Sequence, residues 1–290
     1  MKIRLSVGAK IGLYTFLILV SLITFVPLLY TLSASFKTNL EIAAGGINLI
    51  PKEFTFDNYI QVFNMSGSSL NGQVNYLDYT WNSVKVSVLT VILVVVFTSM
   101  SAYAFQRGHF PGQKFLYWLF LGTMFVGAGS ITIFPITQIT TKIGLNNWVG
   151  LAIVQFGTAG ASNLFLTMGY LKTISVELDQ AARIDGCSFF STWWRIILPL
   201  SKPILGTIAL MSFRASWNAY LIPKLMLAKD PNATTLVVAV VKLQSSGGAG
   251  ASQYNLMMAG TMLAMLPMVI LFIAMNRTFV DGVTAGAVKG

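Results

Sequence analysis

The stretch ELDQAARIDGCSFFSTWWRIILPLSKP, Glu177 to Pro203, is a polar segment in an otherwise apolar chain. Hydrophobic residues make up 55% of the 290 residues and charged residues 10%, against roughly 25% in soluble domains. The composition therefore predicts an integral membrane protein. A charged segment of this length, between two nearly charge-free regions, must have a use outside the lipid.

Six apolar segments are long enough for helices that cross a hydrocarbon core of about 30 Å. They lie at roughly 11–35, 84–105, 115–140, 148–171, 204–226 and 255–276. Long continuous runs favour helices over a barrel, whose strands would alternate in polarity. We therefore expect an all-α integral membrane protein, with 1–290 as one domain of six transmembrane helices and the polar segment between the fourth and fifth.

Basic residues predict the orientation of these helices. Lys and Arg are more frequent in the N-terminal tail, the 106–114 turn, the 172–203 loop and the C-terminal tail 277–290 than in the other loops. By the positive-inside rule the termini and the polar segment are cytoplasmic, in a multi-pass protein of a bacterial cytoplasmic (inner) membrane. This placement also explains the net charge of +10 without nucleic acid as a partner.

Residue types within the polar segment predict a helix, an elbow and a second helix. Ser175 suits a helix N-cap, and Gly186 suits the left-handed residue that follows a helix, so 176–185 is predicted helical. Ala181 and Ala182 would leave a flat face open to a partner, and Pro199 would end the second helix. On pattern alone, an amphipathic loop anchored in the lipid headgroups explains the segment equally well.

The spacing of this segment resembles that of the membrane subunits of binding-protein-dependent ABC importers. Two alanines are followed by three residues, a glycine, nine residues and then an I-x-L-P-like end, Ile196 to Pro199. In that family the loop docks into a cleft of a cytoplasmic ATPase, but Gln180 stands where the family usually has Glu. The resemblance implies that the ATPase-coupling residues are Glu177, Gln180, Ala181, Ala182, Asp185, Gly186, Leu198 and Pro199.

Three further stretches are similar to the carbohydrate branch, specifically the maltose-type smaller permease subunit: NLFLTMGYLKTISVELDQAARIDG, SWNAYLIPKLML and TAGAVKG. That resemblance implies a second homologous permease subunit, two ATPase subunits that hold ATP and Mg, and an extracytoplasmic solute-binding protein. It also implies that the C-terminal tail reaches the ATPases. The chain has no G-x-x-x-x-G-K-[ST] sequence, so we expect it to be non-catalytic, without a cofactor or metal of its own.

Arg214 is the one charge well within a predicted span, which marks it as a candidate functional residue because burial of a charge is costly. Trp217 could stack on a sugar ring and Asn218 could bind hydroxyls, so we place the three residues beside the substrate path. A structural role, in which Arg214 pairs with backbone carbonyls or with a residue of the partner chain, explains it equally well. If Arg214 binds a negatively charged group of the substrate, the substrate is an acidic oligosaccharide of the alginate type.

The glycine-rich stretch LQSSGGAGASQYN, 243–255, has two readings. It is either a flexible linker or, as the maltose-type resemblance implies, a loop that enters the cleft of the solute-binding protein through Gly247, Gly248 and Gly250. Two alternatives to a sugar importer remain: an ABC permease for another solute, and a secondary transporter or channel. The latter requires Asp, Glu or His at membrane depth, and the predicted spans have none mid-span.

Overall fold

The computed structural model describes residues 6–46, 48–64, 67–69, 72–125, 129–245 and 252–287. Helices dominate this part of the chain, and in chain order the elements are α1 (Val7–Ala34), α2 (Asn39–Ala43), α3 (Asp57–Phe63), β1 (Gly67–Ser69), β2 (Gly72–Val74), α4 (Tyr76–Arg107), α5 (Gln113–Phe125), α6 (Ile133–Lys142), α7 (Trp148–Leu171), α8 (Glu177–Ile184), α9 (Phe189–Thr192), α10 (Leu198–Leu200), α11 (Lys202–Trp217), α12 (Leu221–Met226), α13 (Leu236–Leu243) and α14 (Tyr254–Ala287). Short 3₁₀ turns occupy Gly129–Thr132 and Pro231–Ala233, and a π-helical turn occupies Trp193–Ile197.

The all-α prediction holds apart from one short hairpin. Strands β1 and β2 pair antiparallel, with Gly67 opposite Val74 and Ser69 opposite Gly72. A hairpin of this size contributes little stability by itself. The helices therefore determine the fold.

Four of the described helices are long and apolar enough to cross a membrane: α1, α4, α7 and the part of α14 from Tyr254 to Met275. A fifth candidate is a bent pair, Phe189–Leu200 and Lys202–Trp217, whose two halves meet at 79°. Four of the six predicted spans thus correspond to single long helices. The count of six stays a prediction.

The continuous helix predicted over 115–140 is wrong. Helix α5 ends at Phe125, and α6 begins at Ile133 after a 3₁₀ turn. Gly129 begins that turn, and glycine disfavours a helix interior by about 1 kcal/mol per residue. At 1.5 Å per residue α5 is about 20 Å long, less than the roughly 30 Å of a hydrocarbon core.

The continuous helix predicted over 204–226 is also wrong, because α11 ends at Trp217 and α12 begins at Leu221. Pro223 explains the restart. A proline inside a helix clashes with the carbonyl four residues earlier, here that of Ala219, but is tolerated in a first turn. The chain therefore breaks before Pro223 and places it in the first turn of α12.

The chain divides into two compact units. The unit formed by Gly67–Val238 and Leu266–Gly290 is built on α4, which packs against α7 and α11. Buried side chains fill both contacts: Val86, Leu151 and Ala152 between α4 and α7, and Val94, Ile204 and Ile208 between α4 and α11. These three helices form the frame that carries the polar segment.

The other unit comprises Met1–Ser66 and Ala239–Met265. Asn58, 2% exposed, orders it: its amide donates to the carbonyls of Ser35 and Lys37 at 2.8 Å each, and its Oδ1 accepts from the Asn255 amide at 2.7 Å. The rings of Phe36 and Phe54 stack beside this network, 4.7 Å apart. Hydrogen bonds and ring contacts thus tie together segments that are distant in the chain.

Candidate functional site

The polar segment 172–203, hereafter the coupling segment, begins with helix α8. The helix starts at Glu177, one residue later than predicted, and the Ser175 hydroxyl accepts from the Glu177 N–H at 3.2 Å. At its end Gly186 has φ +77°, the left-handed conformation that the sequence predicts. The Gly186 N–H donates to the Arg183 carbonyl and the Cys187 N–H to the Ala182 carbonyl, the two bonds of a Schellman motif.

Asp179 anchors α8 to the end of α4. Its Oδ1 accepts from the Tyr103 hydroxyl at 2.7 Å, and its Oδ2 lies 3.1 Å from Arg107 Nε. The second contact is an ion pair, and Oδ2 accepts no hydrogen bond. Arg107 Nη2 also donates to the Ile174 carbonyl at 2.6 Å. The side chains of Asp179 and Arg107 are only 6% and 12% exposed, so these contacts are shielded from water.

The second half of the coupling segment is inserted into the same frame. Trp193 and Ile197 are buried with Leu164, Met168 and Leu171 of α7. The Phe189 ring lies 4.4 Å from the ring of Tyr103, the residue that also holds Asp179. One side of this helix is thus buried, and both halves of the segment rest on α4 and α7.

Pro199 does not end the second helix, contrary to the sequence prediction. The chain stays helical through Leu200, and the break comes at Ser201. The preceding π turn, in which the Leu198 N–H donates to the Trp193 carbonyl, widens the helix just before the residue that lacks an N–H. Pro203 then lies in the first turn of α11, where a proline is tolerated.

The outward side of the coupling segment is the candidate docking surface. Five of the implied coupling residues are exposed along α8 and its elbow: Glu177, Gln180, Ala181, Asp185 and Gly186. Ala182 is only 2% exposed, so the prediction that both alanines form an open face is wrong for Ala182, which packs inward. Leu198 is half-buried and Pro199 exposed at the far end of the segment.

Apolar side chains are also exposed along the coupling segment, and the sequence reasoning missed one of them, Ile184. Ile184, at the end of α8, is 87% exposed, and Phe190 and Trp194 are 58% and 56% exposed. An apolar side chain inside a short charged helix was the available signal for Ile184. Exposed apolar side chains next to charged ones are typical of a surface that binds a protein partner or a membrane.

The structure separates the three residues predicted beside a substrate path. Trp217 is 1% exposed and stacks with Phe213 at 5.6 Å between ring centroids, so no ring face is open to a sugar. Arg214 and Asn218 are exposed, one turn apart, where the Asn218 N–H donates to the Arg214 carbonyl at 3.1 Å. The sugar-stacking role predicted for Trp217 is therefore wrong in this conformation.

A buried polar network links helices α4, α7 and α11. Gln155 Oε1 accepts from the Thr90 hydroxyl at 3.2 Å and from the Ser216 hydroxyl at 2.5 Å, so it joins α7 to α4 and α11. One turn of α11 earlier, the Ser212 hydroxyl accepts from the Asn163 amide at 3.3 Å. The sequence reasoning missed this network, because single polar residues inside apolar helices do not reveal their partners.

The predicted contacts of the glycine-rich loop and of the C-terminal tail stay predictions. Gly247, Gly248 and Gly250 lie outside the described residues. The backbone of the tail continues α14 as far as Ala287. Within the described ranges, no group of three or more His, Cys, Asp and Glu side chains could hold a metal ion.

Residues 64–284 match the family described as "Binding-protein-dependent transport system inner membrane component". The chain belongs to this family. The coupling segment and its frame thus lie within an inner membrane transport component. The match includes α4 to α12 and therefore every residue of the docking surface.

Curated relatives of this transport component match over nearly its whole length. The probable starch degradation products transport system permease protein AmyC of Thermoanaerobacterium thermosulfurigenes is 34% identical, over 96% of both chains. The galactooligosaccharides transport system permease protein GanQ of Bacillus subtilis (strain 168) is 33% identical, over 100% of this chain and 99% of the relative.

A solved structure shares the fold. It is the crystal structure of a bacterial ABC transporter involved in the import of the acidic polysaccharide alginate, with a TM-score of 0.75. The similarity covers 95% of this chain and 99% of that one at 22% identity. The arrangement of helices is therefore that of a solved ABC transporter chain.

Proposed function

We propose that the chain is the permease subunit of an ATP-driven importer of oligosaccharides. The observation that carries the proposal is the coupling segment, in which an exposed helix is held in place by a buried ion pair and by aromatic contacts. Relatives at 33–34% identity carry names that refer to starch degradation products and galactooligosaccharides, which supports a sugar substrate. The chain has no phosphate-binding loop sequence, so a partner hydrolyses the ATP.

The partners that complete this importer are a second permease of the same family, two cytoplasmic ATPase subunits and an extracytoplasmic solute-binding protein. Family membership supports this assembly, because the family is defined by dependence on a binding protein. The coupling segment is the ATPase dock and faces the cytoplasm. The two permeases form the translocation path between them.

The attachment of α8 to α4 supports a mechanism of alternating access. When the ATPases close on ATP, they move the helix that is docked on them. Asp179 ties α8 to Arg107 and Tyr103 at the end of α4, so α4 moves with α8. Because α4 packs on α7 and α11 through buried contacts, the three helices turn as a rigid body. The translocation path between the two permeases then opens to the other side of the membrane.

The docking proposal is tested by Ala181→Arg in the transporter complex. The substitution places a charge and a long side chain on the exposed face of α8, so we expect ATP-dependent uptake in vesicles to fall at least about tenfold, which corresponds to 1.4 kcal/mol. Membrane insertion of the chain should be unchanged, because residue 181 makes no buried contact.

Ala43→Arg is the matched control, because Ala43 is an exposed alanine of α2, outside the coupling segment and outside the candidate membrane spans. Uptake by this variant should equal that of the wild type. Full uptake by Ala181→Arg, or uptake in vesicles that contain no ATPase, would contradict the docking proposal. The second result would instead favour a secondary transporter or channel.

A further inference from the structure

A cavity of about 500 Å³ lies beside the coupling segment, where α4 ends, α5 begins and α7 ends. The docking surface does not use it. Its lining combines two lysines, Lys114 and Lys172, with the aromatic side chains of Tyr117, Trp118 and Phe165. This combination of cationic and aromatic groups at the end of membrane-crossing helices points to a ligand with an anionic head and an apolar body.

Both lysines are exposed, and their charges are available to a ligand. Across the part of the chain that the structure describes, neither lies within ion-pair distance of a carboxylate. Arg107, the nearby cation of α4, is committed to Asp179 and the Ile174 carbonyl. An anion in the cavity would therefore be held by Lys114 and Lys172.

The aromatic wall is ordered by contacts between its own rings. The ring of Tyr117 meets that of Phe165 edge-on at 5.3 Å and that of Trp118 at 5.9 Å. Trp118 remains 66% exposed, and Phe115 and Leu119 continue the apolar surface of α5 at 70% and 52% exposure. Trp and Tyr at the end of a membrane helix lie at the level of the lipid headgroups.

Gly169 keeps the α7 wall of the cavity open. No atom lies within 4 Å of the position that a Cβ would take there, and φ is not in the left-handed region. Any side chain would therefore fit the backbone. A large one would occupy space within the cavity.

We propose that this cavity binds the headgroup of an anionic phospholipid. Lys114 and Lys172 contact the phosphate oxygens, Tyr117 and Trp118 lie beside the glycerol region, and the acyl chains run along α5 over Phe115 and Leu119. Basic pockets between transmembrane helices bind anionic headgroups in this way. The site adjoins the coupling segment, because the cavity residues Phe165 and Met168 also pack against the cluster that buries Trp193.

The test is a lipid titration of the full-length chain in the complex with which it co-purifies, after delipidation, read by native mass spectrometry. The probes are dioleoyl phosphatidylglycerol and zwitterionic dioleoyl phosphatidylcholine. We expect the anionic lipid to bind at least about tenfold more tightly. The variant Lys114→Gln/Lys172→Gln should lose most of this preference, about fivefold per lysine, because each surface lysine contributes about 1 kcal/mol toward an anionic lipid.

The matched control is Lys52→Gln/Lys229→Gln, which removes the same charge from exposed lysines outside the cavity and away from the ends of the candidate membrane spans, and should keep the preference. Gly169→Leu should lower binding of both lipids by filling the cavity, without loss of helix stability. Equal affinity for the two lipids, or an unchanged preference in Lys114→Gln/Lys172→Gln, overturns the proposal. Displacement of the lipid by millimolar glycerol 3-phosphate also overturns it, since the site would then bind a soluble anion.

Discussion

The carboxylate of Asp179 holds the coupling segment in place. It compensates the charge of Arg107 in a site where both side chains are almost fully shielded from water. A buried ion pair contributes little net stability over an apolar pair, but loss of one partner leaves the other charge uncompensated, which is strongly unfavourable. Asp179 is therefore important mainly because its removal would leave the buried charge of Arg107 without a counterion.

Asp179→Asn should lower the free energy of unfolding by about 3 kcal/mol, because Arg107 keeps a buried charge without its counterion. Thermal or denaturant unfolding of the purified chain in detergent measures the effect. Asp185→Asn makes the same chemical change at an exposed position and should stay within about 0.5 kcal/mol of wild type. Equal effects of the two substitutions would show that the Asp179 pair does not anchor α8.

Glycine substitutions at two positions should act with opposite sign. Gly186→Ala should lower the free energy of unfolding by about 1 kcal/mol, since φ is +77° there and a Cβ disfavours the left-handed region. Gly157→Ala, in helix α7, should raise it by about 0.5–1 kcal/mol. Neither Cβ would meet an atom within 4 Å, so the backbone alone decides the sign. Destabilisation by both substitutions in the same unfolding assay would contradict this account.

The sequence predicts the role of Gly186 but not the contacts of Asp179 and Gln155. The role of Gly186 is local, because the glycine and the helix that it ends are adjacent in the chain. The partner of Asp179 that donates its hydrogen bond is 76 positions away, and Gln155 contacts α4 and α11 across 65 and 61 positions. No local pattern contains such pairings, so only the folded structure identifies them.

The elements show a similar division. Hydropathy predicts α1, α4, α7 and the apolar part of α14, because a long apolar run without interruption leaves few alternatives. It misses the interruptions between α5 and α6 and between α11 and α12, because glycine and proline change hydropathy little while they disfavour a continuous helix. The polar helix α8 is predicted to within one residue at each end because its terminal residues are characteristic.

Helix α11 carries the prediction about substrate charge. Arg214 and Asn218 are exposed on it, and within the described residues Arg214 has no carboxylate at ion-pair distance. If Arg214 binds an acidic oligosaccharide, Arg214→Gln should reduce uptake of acidic oligosaccharides about tenfold more than uptake of neutral ones, and Arg214→Lys should restore part of it. Competitive uptake in vesicles measures both. Equal loss for acidic and neutral substrates would exclude charge recognition by Arg214.

The whole chain has an unusually large apolar surface for a protein in water. Along α1 every described side chain from Val7 to Leu29 is exposed, and the outward sides of α5 and α14 are similarly apolar. A lipid environment explains such a surface, and so does a second permease chain. The docking surface is the polar exception, with charged residues, Ala181 and Ile184 exposed together on α8.

Cysteine crosslinking from α8 to the ATPase tests the central claim most directly. In a Cys187→Ser background, which removes the only cysteine, Ala181→Cys and Ala182→Cys differ by one position, but residue 181 is exposed and residue 182 is only 2% exposed. With a short bifunctional reagent in transport-competent vesicles, we predict an ATPase adduct from residue 181 and none from residue 182. Absence of an adduct from residue 181, in vesicles that still import substrate with ATP, would contradict the assignment of the coupling segment as the ATPase dock.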